Sequence, residues 1–99
     1  MSRSTAIATG PLASGSTTTV FTGRGLLNSL QIITDGTNAG TVTVYDNTAG
    51  SGKIIAVLTC AGAALSDSFV PTFAIRTDIG LTFVVSGTAA VAYASYGAA

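Results

Sequence analysis

Histidine and glutamate are absent from this 99-residue sequence, and charged residues make up only 8% of it. Without histidine, the commonest general base and metal ligand is missing, and the abundant serine and threonine hydroxyls have no neighbour that would activate them as nucleophiles. Four lysine and arginine residues balance four aspartates, so a nucleic acid or an acidic membrane surface gains no electrostatic attraction. The sequence therefore predicts a protein that is not an enzyme and that binds neither nucleic acid nor membrane.

Disulfide pairs and long apolar runs are also missing. Cys60 is the only cysteine, so no disulfide can form within the chain. It ends an apolar run, which predicts an inert core thiol rather than a nucleophile. The start of the chain has no apolar segment typical of a secretory signal, and no uncharged apolar run is long enough to cross a bilayer. We expect a soluble protein made inside the cell.

What the sequence does contain is β-branched and aromatic residues at regular intervals, separated by turn residues such as "DGTNAG". Alternation with a period of two is typical of strands with one buried face. The apolar residues that share a face within their strand are Leu26, Leu30 and Ile32; Val42 and Val44; and Leu81, Phe83 and Val85. Seven or eight such strands predict an all-β fold over residues 17–99, either an antiparallel β-sandwich or a jelly-roll-like small barrel.

Two stretches depart from simple alternation. "KIIAVLTC" (53–60) is apolar on both faces, which indicates a strand covered on both sides. "LSDSFV" and "FAIRT" flank Pro71 and read as one strand broken there, because proline cannot donate to a ladder. Helix has little support, since Gly62 weakens the one Ala-rich candidate, "CAGAALSD".

The dipeptide Gly52-Lys53 raises the question of a phosphate-binding loop. Such a loop requires a glycine five residues earlier, a hydroxyl residue after the lysine and a following helix. Asn47 and Ile54 occupy the two positions, and the β-like "IIAVL" follows. The stretch therefore predicts a hairpin across Asp46–Lys53, with no cofactor.

The aspartates are better explained as turn formers than as catalytic or metal-binding groups. Asp35, Asp46 and Asp78 stand in turn-rich stretches, where an aspartate side chain caps backbone amides. The loop "DNTAGSG" lacks the alternating oxygen ligands of a calcium loop. We therefore expect neither a catalytic residue nor a metal site.

Residues 1–16 contain few large apolar side chains and predict a flexible, extended N-terminal arm. Arg3, Ile7 and Leu12 are its candidate contacts with a neighbouring subunit, Ile7 and Leu12 as apolar anchors and Arg3 as the partner of an acidic patch. Tyr45, Tyr93 and Tyr96 form a second candidate interface, either a protein-contact or a sugar-stacking patch. They are equally explained as tyrosines at the edge of the core.

Three stretches carry a resemblance to a known group: "LQIITDGTNAGTVTVYDNTAGSGKII", "FVPTFAIRTDIGLTFVVSGTAAVAYASY" and the arm-like start. Together they resemble small β-sandwich virion proteins of tailed bacteriophages, including the capsid cement (decoration) proteins of cyanophages. The resemblance implies a structural protein of the virion, a homo-oligomer that binds the major capsid protein or other virion proteins. Its alternative is a tail, fibre or knob component that binds a receptor or glycan. A small hydrolase or metal-dependent lectin is disfavoured by the missing histidine and the scattered aspartates.

Overall fold

A computed structural model describes residues 7–62, 64–71 and 74–98. These residues form ten strands. The described part of the chain contains no helix, and therefore no helix that could cross a membrane. The all-β prediction is confirmed. The strands are β1 (Ile7–Ala8), β2 (Leu12–Ala13), β3 (Thr17–Thr22), β4 (Gly25–Ile33), β5 (Gly40–Asp46), β6 (Lys53–Cys60), β7 (Ser66–Phe69), β8 (Ile75–Thr77), β9 (Gly80–Gly87) and β10 (Val91–Ala98).

The strands form two antiparallel sheets packed face to face. In sheet A, β10 and β4 are central; β1 and β2 both pair with β10 on one side, and β7 and β8 both pair with β4 on the other. Sheet B has the order β3-β9-β5-β6. This is a sandwich and not a closed barrel. The count exceeds the seven or eight strands predicted because each edge of sheet A is made of two short strands in line, one pair of them separated by Pro71.

The core lies between the sheets and follows the predicted alternation in most strands. Val42, Val44, Leu81, Phe83 and Val85 are all fully buried, as the sequence predicted. Cys60 is also buried, which confirms that its thiol belongs to the core. The hairpin is confirmed too, with Asp46 paired to Lys53 at its mouth.

One strand departs from the predicted alternation because of a β-bulge. On β4, Ser29 pairs with Ser95 but Leu27 pairs with Tyr96, so Asn28 is an extra residue. The extra residue shifts the alternation by one position, so that side chains beyond the bulge point to the opposite face from the one expected. Leu27 therefore joins Leu30 and Ile32 in the core, whereas Leu26, expected to share their face, is only half-buried.

The expectation that β6 is covered on both sides is wrong. β6 is the edge strand of sheet B and pairs only with β5 among the described strands. Ala56 and Leu58 pack against the core, but Ile54 and Val57 are exposed. An apolar run predicts that a segment forms a strand. Whether that strand is central or at an edge depends on its pairing with distant strands, which the run itself does not specify.

Residues 7–16 lie against the sandwich and do not form a free arm. Ile7 pairs with Tyr96, Leu12 pairs with Ala92, and the Thr9 amide donates to the Ala94 carbonyl over 2.8 Å. Leu12 is only 7% exposed and belongs to the core. This corrects its assignment as an anchor for a neighbour, because its side chain is already packed within its own domain. The remainder of the expected arm, including Arg3, is outside the described residues.

Replacing Leu12 with alanine should destabilise the fold by about 2–3 kcal/mol, because the change leaves a cavity at the edge of the core. The matched control is Ile7→Ala on the same segment, where the side chain is 52% exposed and the expected loss is within about 0.5 kcal/mol. Equilibrium unfolding in urea measures both. Equal, small effects would show that residues 7–16 do not contribute to the folded core.

Candidate interaction surfaces

The loop between β5 and β6 folds back over the outer face of sheet B. The Thr82 hydroxyl donates to the Asn47 carbonyl over 2.7 Å, and the Thr19 hydroxyl lies 2.8 Å from that of Thr82. Thr82 is consequently buried although it points away from the core. Gly50 is required where the loop meets the sheet, because a Cβ there would lie 2.8 Å from Val84 Cγ2. The loop is therefore held against its own sheet by these contacts.

Asp46 joins this hairpin to the turn at which the chain passes from sheet A to sheet B. Its carboxylate accepts hydrogen bonds from the amides of Asp78 (3.1 Å), Ile79 (2.9 Å) and Gly80 (3.3 Å). Burial by itself raises the pKa of Asp46. The hydrogen bonds from those amides and the positive charge of Lys53 lower it by more, so the pKa lies below the usual 3.8. The carboxylate caps backbone amides as the sequence indicated, and the amides belong to a turn 32–34 residues away.

The other aspartates also interact with their own chain. Asp35 accepts from the amides of Thr37 and Asn38, both at 2.8 Å, and these bonds hold the pKa of its carboxyl below its usual value. Asp78 forms an exposed ion pair with Arg76 at 3.4 Å. Within residues 7–62, 64–71 and 74–98, no group of three or more acidic, cysteine or histidine side chains is placed to share a metal ion.

The three tyrosines do not form one patch. Tyr93 lies between the buried Ala92 and Ala94 and therefore projects from the outer face of sheet A. Tyr45 follows the buried Val44 and projects from the outer face of sheet B, on the opposite side of the molecule. Tyr96 packs against the core, with its ring 6.2 Å from that of Phe21. Of the three tyrosines, only Tyr93 is exposed.

The edges of the two sheets are protected to different degrees. Exposed edge strands can pair with other chains, and proteins protect them with short strands, prolines, bulges and inward-pointing charges. β1 and β2 have two residues each and are separated by Gly10-Pro11. β7 has four residues, precedes Pro71 and carries Asp67 opposite the buried Ile32. β3 is rich in threonine and contains a bulge after Thr19.

β6 is the least protected of these edges. It has eight residues, its only charged residue is Lys53 at the first position, and its bulge at Ile55 leaves Ala56–Cys60 in regular register with β5. The exposed side chains of Ile54 and Val57 add apolar area beside this edge. Leu65, Phe69 and Val70 on the neighbouring β7 side are exposed as well. We call β6 together with Leu65, Phe69 and Val70 the open edge.

Neither the protein-family models, the curated proteins nor the solved structures yielded a match to this chain.

Replacing Asp46 with alanine should lower the free energy of unfolding by about 2–3 kcal/mol, because three amides lose a charged acceptor. Asp78→Ala is the control, since it removes an exposed ion pair and should change stability by no more than about 0.5 kcal/mol. Urea unfolding followed by circular dichroism distinguishes the two. An Asp46→Ala variant as stable as the wild type would contradict this prediction, because it would mean that water accepts the three amide hydrogen bonds with no loss in the free energy of unfolding.

Acid should destabilise the protein through the same carboxylate. Because the folded-state pKa of Asp46 lies below 3.8, its stabilising contribution is present above the unfolded-state pKa and is lost as the pH falls through the folded-state pKa. Asp35, whose pKa is also lowered, acts in the same direction. The free energy of unfolding should therefore decrease below about pH 4, and less steeply in Asp46→Asn than in the wild type. The same acid dependence in both proteins would exclude Asp46 as a contributor.

Proposed function

We propose that this protein is a structural component of a tailed-bacteriophage virion, a cement protein that binds the head lattice through its open edge. The observation that supports this proposal most is the contrast between β6 and the other sheet edges. The other three edges consist of short, interrupted or threonine-rich strands, whereas β6 continues in regular register for five residues beyond its bulge and exposes apolar side chains. Such an edge is prone to pair with any extended strand. A partner that covers the edge prevents this unwanted pairing.

The low charge of the chain supports the same proposal. Charged side chains account for 8% of the residues, and the net charge is zero. A freely diffusing domain usually relies on surface charge for solubility and separation from its neighbours. A subunit held in an assembly depends less on that charge, because the partner covers part of its surface. Strand addition would provide backbone hydrogen bonds, and Ile54 and Val57 would add apolar contact.

Repetition makes a weak contact of this kind sufficient. A head lattice presents the same site many times, and a homo-oligomer that contacts several sites gains from a high effective concentration. In quantitative mass spectrometry of purified virions, the copy number should then stand in a fixed ratio to that of the major capsid protein. A tail or fibre component would instead be present in a small number unrelated to the size of the shell.

A lysine at Val57 should weaken attachment to the shell by about tenfold or more, because burying an unpaired charge at an interface is unfavourable. The matched control is Ile79→Lys in the turn between β8 and β9, since Ile79 is 55% exposed and Val57 is 56% exposed. Both variants should fold, as neither side chain belongs to the core. Co-sedimentation with heads that lack this protein measures attachment.

Two results would contradict the proposal. If Val57→Lys and Ile79→Lys both bind heads as the wild type does, the open edge is not the attachment surface. If the wild-type protein does not bind heads at all, the assignment to the head is wrong.

A further inference from the structure

A shallow depression lies on the outer face of sheet A, over the central strands, whereas β6 belongs to sheet B. Its volume is about 210 Å³. The floor is formed by the adjacent central strands β4 and β10, and one wall is formed by the segment that follows β1. The lining residues are Ala8, Thr9, Ser29, Gln31, Tyr93, Ala94 and Ser95.

The polar groups of the depression are held by strand pairing. Tyr93 lies directly opposite Gln31, and Ser95 lies opposite Ser29 with their hydroxyls hydrogen-bonded to each other. The wall is tied to β10 by two bonds between Thr9 and Ala94, one of 2.8 Å from the Thr9 amide and one of 3.0 Å to its hydroxyl. A site on paired strands is more rigid than one on a loop, so little order has to be gained on binding.

The chemistry of the lining selects one class of ligand. The exposed Tyr93 ring offers an apolar surface with a hydroxyl at its tip, and the exposed Gln31 amide supplies both a donor and an acceptor. None of the seven lining residues carries a charge, so neither an anion nor a cation finds a counter-charge. The volume is below the roughly 300 Å³ at which pockets for drug-sized ligands begin.

We propose that this depression binds one ring of a neutral saccharide. The apolar face of the sugar lies on the Tyr93 ring, and its hydroxyls exchange hydrogen bonds with the Gln31 amide and the Tyr93 hydroxyl. A single ring over an open depression buries little area, so the dissociation constant should be on the order of millimolar. This proposal is independent of attachment through the open edge.

The test titrates ¹⁵N-labelled protein with methyl glycosides of glucose, galactose and mannose, followed by amide chemical shifts. We expect at least one glycoside to shift the amides of Gln31, Tyr93 and Ser95 and to leave those of β6 unchanged. Tyr93→Ala should weaken that binding by about tenfold or more, and Gln31→Ala by several-fold, since each removes a direct contact. Tyr93→Phe retains the ring and should lose less than Tyr93→Ala.

Ile33→Ala is the matched control, because Ile33 and Tyr93 are both 37% exposed and Ile33 is outside the depression. It should bind as the wild type does. The proposal is overturned if no glycoside shifts these amides, if the shifts map to another surface, or if Tyr93→Phe and Gln31→Ala both bind unchanged. It is also overturned if the surface binds a virion protein and excludes the sugar, which would make Tyr93 a protein contact. Should Tyr93→Ala fail to fold, the shift map and the other two variants still decide the question.

Discussion

One buried carboxylate links a hairpin of sheet B to the turn at which the chain crosses from sheet A to sheet B, 32–34 residues later. Asp46 ends β5 in sheet B, and the amides that it accepts from belong to the turn between β8 in sheet A and β9 in sheet B. Gly80 allows the close approach, since a Cβ there would lie 2.8 Å from the Asn47 carbonyl oxygen. Without the carboxylate, three backbone donors at this crossing would lack their acceptor. The position of the 46–53 loop over sheet B follows from the same contact, because Asn47 and Thr48 come directly after it.

The edges of the two sheets determine which strands of other chains the molecule can bind. A sandwich leaves two edges on each sheet, and among the described strands three of the four edges are made of short, threonine-rich or aspartate-bearing strands. β6 has eight residues, and all of them except Lys53 and Thr59 are apolar. Few charges exist elsewhere in the chain to keep copies apart. The outer face of sheet A is different in character, since its central part combines hydroxyls, one amide and one aromatic ring. The two surfaces suit different partners, a strand at the edge and a small neutral ligand on the face.

Features that depend on local alternation could be predicted from the sequence. Val42 and Val44, and likewise Leu81, Phe83 and Val85, are predicted to share a face because they recur at every second position, and turn residues predict the Asp46–Lys53 hairpin. The β4 bulge could not be predicted, because Asn28 looks like any other polar residue in an alternating strand. The sequence predicts that Leu12 lies in a loose arm because residues 1–16 hold few large apolar side chains, whereas its burial depends on β10, about 80 residues later. The exposure of β6 depends likewise on its position at the edge of sheet B among the described strands, which no local pattern encodes. Tyr93 was identified as a candidate contact, but its separation from Tyr45 depends on which sheet each strand joins.

Hydrogen–deuterium exchange tests most directly whether a partner covers the open edge, because it measures the protection of the β6 backbone amides themselves. In the isolated protein, the β6 amides that do not bond to β5 should exchange rapidly, while those of the central strands β9 and β10 are protected. When the protein is bound to its assembly, these β6 amides should become protected, while the amides of β3, at the opposite edge of sheet B, should exchange as before. Rapid exchange of the same β6 amides in the assembled protein would contradict the claim that a partner covers the open edge.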